Sequence, residues 1–190
     1  MNSEFEADHD ALLQSIVDVA LAIYCAEASS IFLYDTERDE LVFRAVSGQG
    51  QGQLVGRGFP STQGIAGWVL SSRQAMIVDD LTGSDIFAKD IAEATEYVPR
   101  SLMAVPLLHD DEALGVLEVL DPHPQARAAI AELELLVMFA RQASVALRVI
   151  RNYAHAVRDD PNARRREETR RLLSALTDLM EEDSGPLPRR

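Results

Sequence analysis

The sequence predicts an α+β domain: antiparallel strand pairs, a helix at each end, and a small helical cap hinged over the strands. Three observations predict it. Two pairs of short apolar segments are each joined by a polar turn, residues 28–35 with 40–47 and 102–108 with 113–120, and each reads as a hairpin. Helical periodicity flanks them, over Asp10–Ala26 and again from Gln125 to about Val157. Between the hairpins, the stretch from Phe59 to Leu107 interrupts the sheet pattern with a loop, a short helix, a short strand and a second helical patch. A helical cap over a sheet is one way to build a ligand pocket.

In the first helix Leu13, Ile16, Val17, Ala20 and Tyr24 form one stripe, which Leu12, Val19 and Ile23 widen. So broad a stripe can face a sheet on one side and another helix on the other. The strand Ala28–Asp35 follows, then a polar turn at Asp35–Asp39 and the return strand Glu40–Ser47. Both strands are apolar enough to lie centrally or be covered on both faces. The glycine-rich segment Gly48–Gly58 has neither a Gly-Lys-Ser/Thr ending nor Gly-x-Gly-x-x-Gly spacing, so it reads as a flexible crossing rather than a phosphate loop.

In the central stretch, Ser61 and Thr62 are positioned to cap a helix beginning near Gly64, and Gly64 and Gly67 allow its backbone a close approach. Ala75–Val78 reads as a strand, Asp79–Asp85 as a polar turn and Ile86–Val98 as helical. Glu118 is a carboxylate among strand formers: it faces water or the pocket mouth, or it contacts a ligand, because burial demands a partner. Asp121-Pro122-His123-Pro124 ends that strand and opens the long helix, where Ile130, Leu133, Val137, Ala140, Ser144, Leu147 and Ile150 approach a heptad seam. At 1.5 Å per residue this helix would run roughly 50 Å, more than a small domain uses for its own core.

Asp160 and Pro161 restart a helix over 162–182, with Leu172, Leu173, Leu176, Leu179 and Met180 as its apolar stripe. Arginines at its start and acids at its end oppose the helix dipole, so it should need a docking partner. The domain plan is therefore a flexible acidic N-terminus (1–9), a domain including the long helix (10–157), an appended amphipathic helix (158–183) and a disordered tail (184–190).

The formal net charge is −13, and acidic and basic residues balance from Arg158 onward, so the acidity sits on residues 1–157. Nucleic-acid binding wants the opposite sign. One cysteine, Cys25, rules out an intrachain disulfide or a multi-cysteine zinc site. No segment reads as a signal peptide or membrane span, and the expected location is the cytoplasm. No histidine lies beside a plausible nucleophile, and Asp79 with Asp80 reads as turn capping, so no catalytic residue is assigned.

The order helix, strand, strand, helical cap, strand, strand, long helix carries Ser30–Asp35, Gly64–Val69, Ile77–Asp80, Ser101–Leu107, Leu114–Glu118 and Ala140–Leu147. These pieces, in this order and spacing, resemble the GAF domain family over roughly residues 10–150. The resemblance implies a PAS-like antiparallel sheet of five or six strands, with terminal helices on one face and a pocket under the cap on the other. It also implies a sensory and dimerisation module rather than an enzyme. No cofactor is assigned. The Asn-Lys-x-Phe-Asp-Glu pattern of cyclic-nucleotide binders is absent, Cys25 does not fit a bilin attachment, no histidine falls in the cap to hold haem, and one cysteine does not suit methionine sulfoxide reduction.

The reading is a regulatory module that binds a small molecule through Phe43, Ile65, Trp68, Phe87, Tyr97, Met103, Val105 and Glu118, and signals through its terminal helices. The partners expected are a small-molecule ligand, a second copy through helices 10–26 and 125–157, and a partner protein through helix 162–182, with no nucleic acid and no membrane. The alternative is a ligand-free scaffold acting through the same helices.

Overall fold

The computed structural model describes residues 2–49, 54–81, 97–110, 112–123 and 130–159, with side chains described for 7–49, 54–81, 97–110, 112–123 and 132–149. The predicted patch at 86–98 lies outside the described residues up to position 96. The appended helix 162–182 and the tail 184–190 also lie outside them.

The order of elements is α1 (Asn2–Tyr24), β1 (Ala28–Asp35), β2 (Glu40–Gly48), β3 (Gly58–Pro60), α2 (Gly64–Ser72), β4 (Met76–Val78), β5 (Leu102–His109), β6 (Glu112–Leu120) and α3 (Ile130–Asp159). The six strands form one antiparallel sheet in the order β3-β2-β1-β6-β5-β4. Both predicted hairpins are present, and β1 of the first pairs with β6 of the second. The two apolar strands β1 and β6 thereby become the centre of the sheet, as their composition requires. The three-residue strand β3 lies in what the sequence reads as loop.

α1 begins at Asn2, upstream of the predicted start, so residues 2–9, expected to be flexible, are helical. Once a helix is nucleated each further residue adds a hydrogen bond, and extension past the packed stripe is inexpensive.

Each central strand sends alternate residues to two separate cores. Behind the sheet, Leu13, Ile16, Val17, Ala20 and Tyr24 of α1 and Leu136, Ala140, Ala143 and Leu147 of α3 pack on Ile31, Met103, Val105, Leu107, Leu117 and Val119. The Tyr24 hydroxyl donates to the Glu132 carbonyl at 2.9 Å, tying the end of α1 to the start of α3. The predicted stripe of α1 is buried as read, and of its widening Leu12 packs partly buried against the same core while Val19 and Ile23 are exposed. In α3 the predicted seam packs on the sheet of this same chain, with Ala140, Ser144 and Leu147 buried and Leu133 and Val137 packed against that core. A different stripe, Leu135, Met138, Val145 and Val149, is exposed.

In front of the sheet, α2 packs on β5 and β6. Its residues Ile65, Ala66, Val69 and Leu70 join Phe32, Phe43, Leu102, Ala104 and Val116 in a second core. The pairing of β1 with β2 shifts between Ile31 and Phe32, where Ala45 faces Ile31 and Phe43 faces Phe32, leaving Arg44 as the extra residue of a bulge. The bulge turns Phe43 and Val46 to the same front face although they are three residues apart. Arg44 goes outward, with a guanidinium nitrogen 3.5 Å from Asp10.

Candidate functional site

The front face between β2 and β4 is the candidate site, and register defines it row by row. One row across the sheet reads Val46, Ser30, Glu118, Ala104 and Met76, each the direct cross-strand partner of the next. The adjoining row on one side brings Phe43, Phe32 and Val116 together, and the row on the other brings Leu120, Leu102 and Val78 together. Directly opposed residues share a face, with Cβ atoms about 5 Å apart. These three rows are thus apolar except for Ser30 and Glu118 at their centre.

Its β2 side is an aromatic cluster. Phe32, Phe43 and Phe59 meet edge to face, with ring centroids 4.5, 5.3 and 5.9 Å apart. That geometry suits the ring quadrupoles. On the other side α2 lies over β5 and β6. Its N-cap is Gln63, without a side-chain cap, and not the predicted Ser61 or Thr62. The Ser61 hydroxyl is used elsewhere, on Asp39 at 2.6 Å. The helix is held instead by close backbone approach: a Cβ on Gly67 would lie 2.6 Å from the Ser61 carbonyl oxygen. At its other end Arg73 adopts a left-handed conformation and donates its N–H to the Val69 carbonyl.

Glu118 is the chemical centre of this face. It is 8% exposed, and burial pushes its carboxyl up to about 7. Desolvation disfavours the charged form, and no neighbouring charge offsets it. Ser30, its partner on β1, is 3% exposed. Among the described residues no hydrogen bond reaches either side chain. Near neutral pH such a carboxyl can serve as an acceptor when ionised or as a donor when protonated. Among the described residues no group of three or more His, Cys, Asp or Glu could hold a metal ion, and Glu118 alone does not make such a site.

Four of the eight predicted site residues share this face or its cover: Phe43 and Ile65 are buried in the front core, Trp68 packs partly buried against it, and Glu118 sits at the centre. Tyr97 stands where the chain re-enters the sheet. Its hydroxyl donates to Asp121, which also accepts from the backbone N–H groups of Arg100 and Ser101 and from the Ser101 hydroxyl. Burial, then that hydrogen bond, holds the Tyr97 phenol well above its ordinary value. Tyr97 anchors the chain where it re-enters the sheet.

Met103 and Val105 are corrections. They belong to the core behind the sheet, under α1 and α3. Alternation sends Leu102 and Ala104 forward and Met103 and Val105 back, and an all-apolar strand carries no polar residue to reveal which set is which. Phe87 lies outside the described residues. The reading from sequence missed Ser30, Phe32, Leu102 and Ala104. Glu118 was the available signal: once a buried carboxylate is placed at the front, period-two alternation places Val116 and Leu120 beside it, and the hairpin register supplies Ala104.

Comparison with solved structures places this architecture among known folds. A GAF domain of a phosphoenolpyruvate-protein phosphotransferase (ptsP) from Coxiella burnetii superposes with a TM-score of 0.69 at 18% identity, covering 77% of this chain and 86% of that one. The free methionine-R-sulfoxide reductase of Neisseria meningitidis, solved with its substrate, gives a TM-score of 0.63 at 21% identity over 80% of this chain and 88% of that one. At the level of sequence, the mouse (Mus musculus) cone cGMP-specific 3',5'-cyclic phosphodiesterase subunit alpha' is 30% identical over 91 residues, 48% of this chain but only 11% of that protein. Among the described residues no helix is long and apolar enough to cross a membrane. The GAF domain model matches residues 8–147, with the sheet, α2 and most of α1 and α3 inside the match, and the chain belongs to the GAF domain family.

Proposed function

We propose that this chain is a non-catalytic sensory or regulatory module of signal transduction that binds a small molecule on the front of its sheet and signals through its terminal helices. The observation that carries this reading is Glu118, buried and without a hydrogen-bond partner among the described residues in an otherwise apolar face. Packing alone gives no use to such a group, since burying a carboxylate without a partner is costly. Phe43, Ile65, Trp68 and Glu118 are the proposed contacts, Phe87 is kept with them as a candidate, and Tyr97 steadies the edge. Because β1, β5 and β6 present alternate residues to the ligand face and to α1 and α3, a shift at the front is felt behind, and a ligand with different affinities for two arrangements moves their populations. Calorimetric titration of the full chain against a panel of nucleotides and metabolites tests this. Saturable heat that is lost with a bulky substitution at Ala104 supports it, and no binding by any class of compound overturns it.

A second reading has its own observation. Leu135, Met138, Val145 and Val149 are exposed along α3 at helical spacing, with Val19 and Ile23 exposed on α1. Apolar stripes of this kind pair with their own copies in helical bundles. In this reading the chain is a homodimer through helices 10–26 and 125–157, the helix at 162–182 takes a partner protein, and neither nucleic acid nor membrane is bound. A cytoplasmic setting suits both readings.

A further inference from the structure

We propose that the ligand taken at the front face is a small organic cation, a primary ammonium or amidinium on an apolar body, whose charge is met by the Glu118 carboxylate with the Ser30 hydroxyl beside it. This rests on the small-molecule reading above and names the class of molecule that site takes.

The geometry comes first. Ser30 and Glu118 are register partners on adjacent central strands, and Ala104 is the partner of Glu118 on its other side. Glu118 is 8% and Ser30 3% exposed. Among the described residues neither side chain has a hydrogen-bond partner. Two adjacent polar groups, both more than nine-tenths buried and both unused, point to a ligand that uses them. Ser30 and Ala104, the partners of Glu118 on either side, are both small.

The surroundings select a charged donor over a neutral one. Among the described elements β1, β2, β4, β5 and α2 bring no basic side chain to this face. Tyr34, toward the far end of β1, is the one titratable group they add, and its hydroxyl is engaged with Asp39. An ionised carboxylate in such a setting needs a counter-charge as well as hydrogen bonds. An ammonium or amidinium supplies both in one group, and the amidinium can meet the carboxylate with two parallel N–H donors. The Ser30 hydroxyl accepts a further N–H or donates to the carboxylate. The phenylalanines and Val116 cover an apolar or aromatic body. The formal charge of −13 adds a long-range field that concentrates cations near the protein.

The test uses the full chain and four probes of similar shape: benzylamine and benzamidine as cations, benzyl alcohol and benzamide as neutral counterparts. Binding is read from amide chemical shifts of Ser30, Ala104 and Glu118 at pH 8 and pH 5.5, in the wild type, in Glu118→Gln and in Ser30→Ala. The expected result is binding of the cations at pH 8, weakened at least about tenfold in Glu118→Gln and at pH 5.5, and less strongly in Ser30→Ala. Neutral probes should bind more weakly and ignore both changes. Cation binding that survives Glu118→Gln undiminished overturns the proposal, as do neutral probes that bind as tightly as the cations. If Glu118→Gln does not fold, the pH dependence and Ser30→Ala decide in its place. Binding by neutral probes alone removes the cation and leaves the small-molecule reading standing. Silence from all four probes overturns the cation proposal and leaves the small-molecule reading to the calorimetric panel.

Discussion

The Ser61 hydroxyl donates to the Asp39 carboxylate at 2.6 Å, and the Ser61 backbone N–H donates to the Asp39 carbonyl at 3.0 Å. The loop that launches α2 is thereby fastened to the turn between β1 and β2. The Tyr34 hydroxyl donates to the same carboxylate oxygen at 2.8 Å. These two hydrogen bonds, the one from Ser61 first, hold the Asp39 carboxyl below its ordinary value of 3.8. Ser61→Ala should therefore lower the melting temperature modestly at neutral pH. Because the folded form of Asp39 prefers the ionised state, that contribution is present above pH 3.8 and disappears as the pH falls through the depressed value. The gap between wild type and variant should close below pH 3.8 in thermal melts; a gap independent of pH would remove the carboxylate from the account.

Gly115 on β6 lets the two central strands approach. A Cβ there would lie 2.0 Å from the Phe32 carbonyl oxygen and 3.0 Å from the Leu33 Cα, both backbone atoms that cannot swing aside. Gly115→Ala should part β1 from β6 and destabilise the fold by about 3 kcal/mol, the upper range for overpacking. Urea denaturation measures this. A loss within about 0.5 kcal/mol, as at an ordinary surface site, would contradict the close approach.

Glu118 gives stability a pH dependence of the opposite sign to Asp39. Its carboxyl is raised by burial from 4.5 to about 7, so the folded protein binds the proton more tightly than the unfolded chain does. Stability therefore falls as the pH rises from 4.5 to about 7 and levels off above. Glu118→Gln removes the titration. It should be more stable than wild type by roughly 3 kcal/mol at pH 8 and nearly equal to it at pH 4.5. Paired denaturation curves at the two pH values provide the measurement. A larger advantage for Gln at the lower pH would reverse the assigned sign.

The exposed stripe of α3 separates dimer from monomer. Met138 is 64% and Val145 49% exposed, so replacing both by Glu leaves the core behind the sheet intact. The expected outcome is a halving of solution mass by light scattering, with each change within about 0.5 kcal/mol in monomer stability. Equal masses for wild type and the double variant would withdraw this stripe as an interface.

Hairpins and helix stripes were legible in the sequence because each depends on neighbours in the chain. The turn at Asp35–Asp39, the alternation into Glu40–Gly48 and the stripe from Leu13 to Tyr24 are local patterns with local causes. The family resemblance was legible for the same reason, as a series of such pieces in order. Which face each residue joins was not. β5 is apolar on both sides, so only its packing between α3 and α2 separates Met103 and Val105 from Leu102 and Ala104. The bulge at Arg44 breaks period-two counting and brings Phe43 and Val46 to one face. The pairing of β1 with β6 joins segments more than eighty residues apart, and that pairing alone sets Ser30 against Glu118. Sequence by itself determined the elements and their hydrophobic content; tertiary structure decided the register and the faces, because those depend on contacts between residues that no local pattern connects.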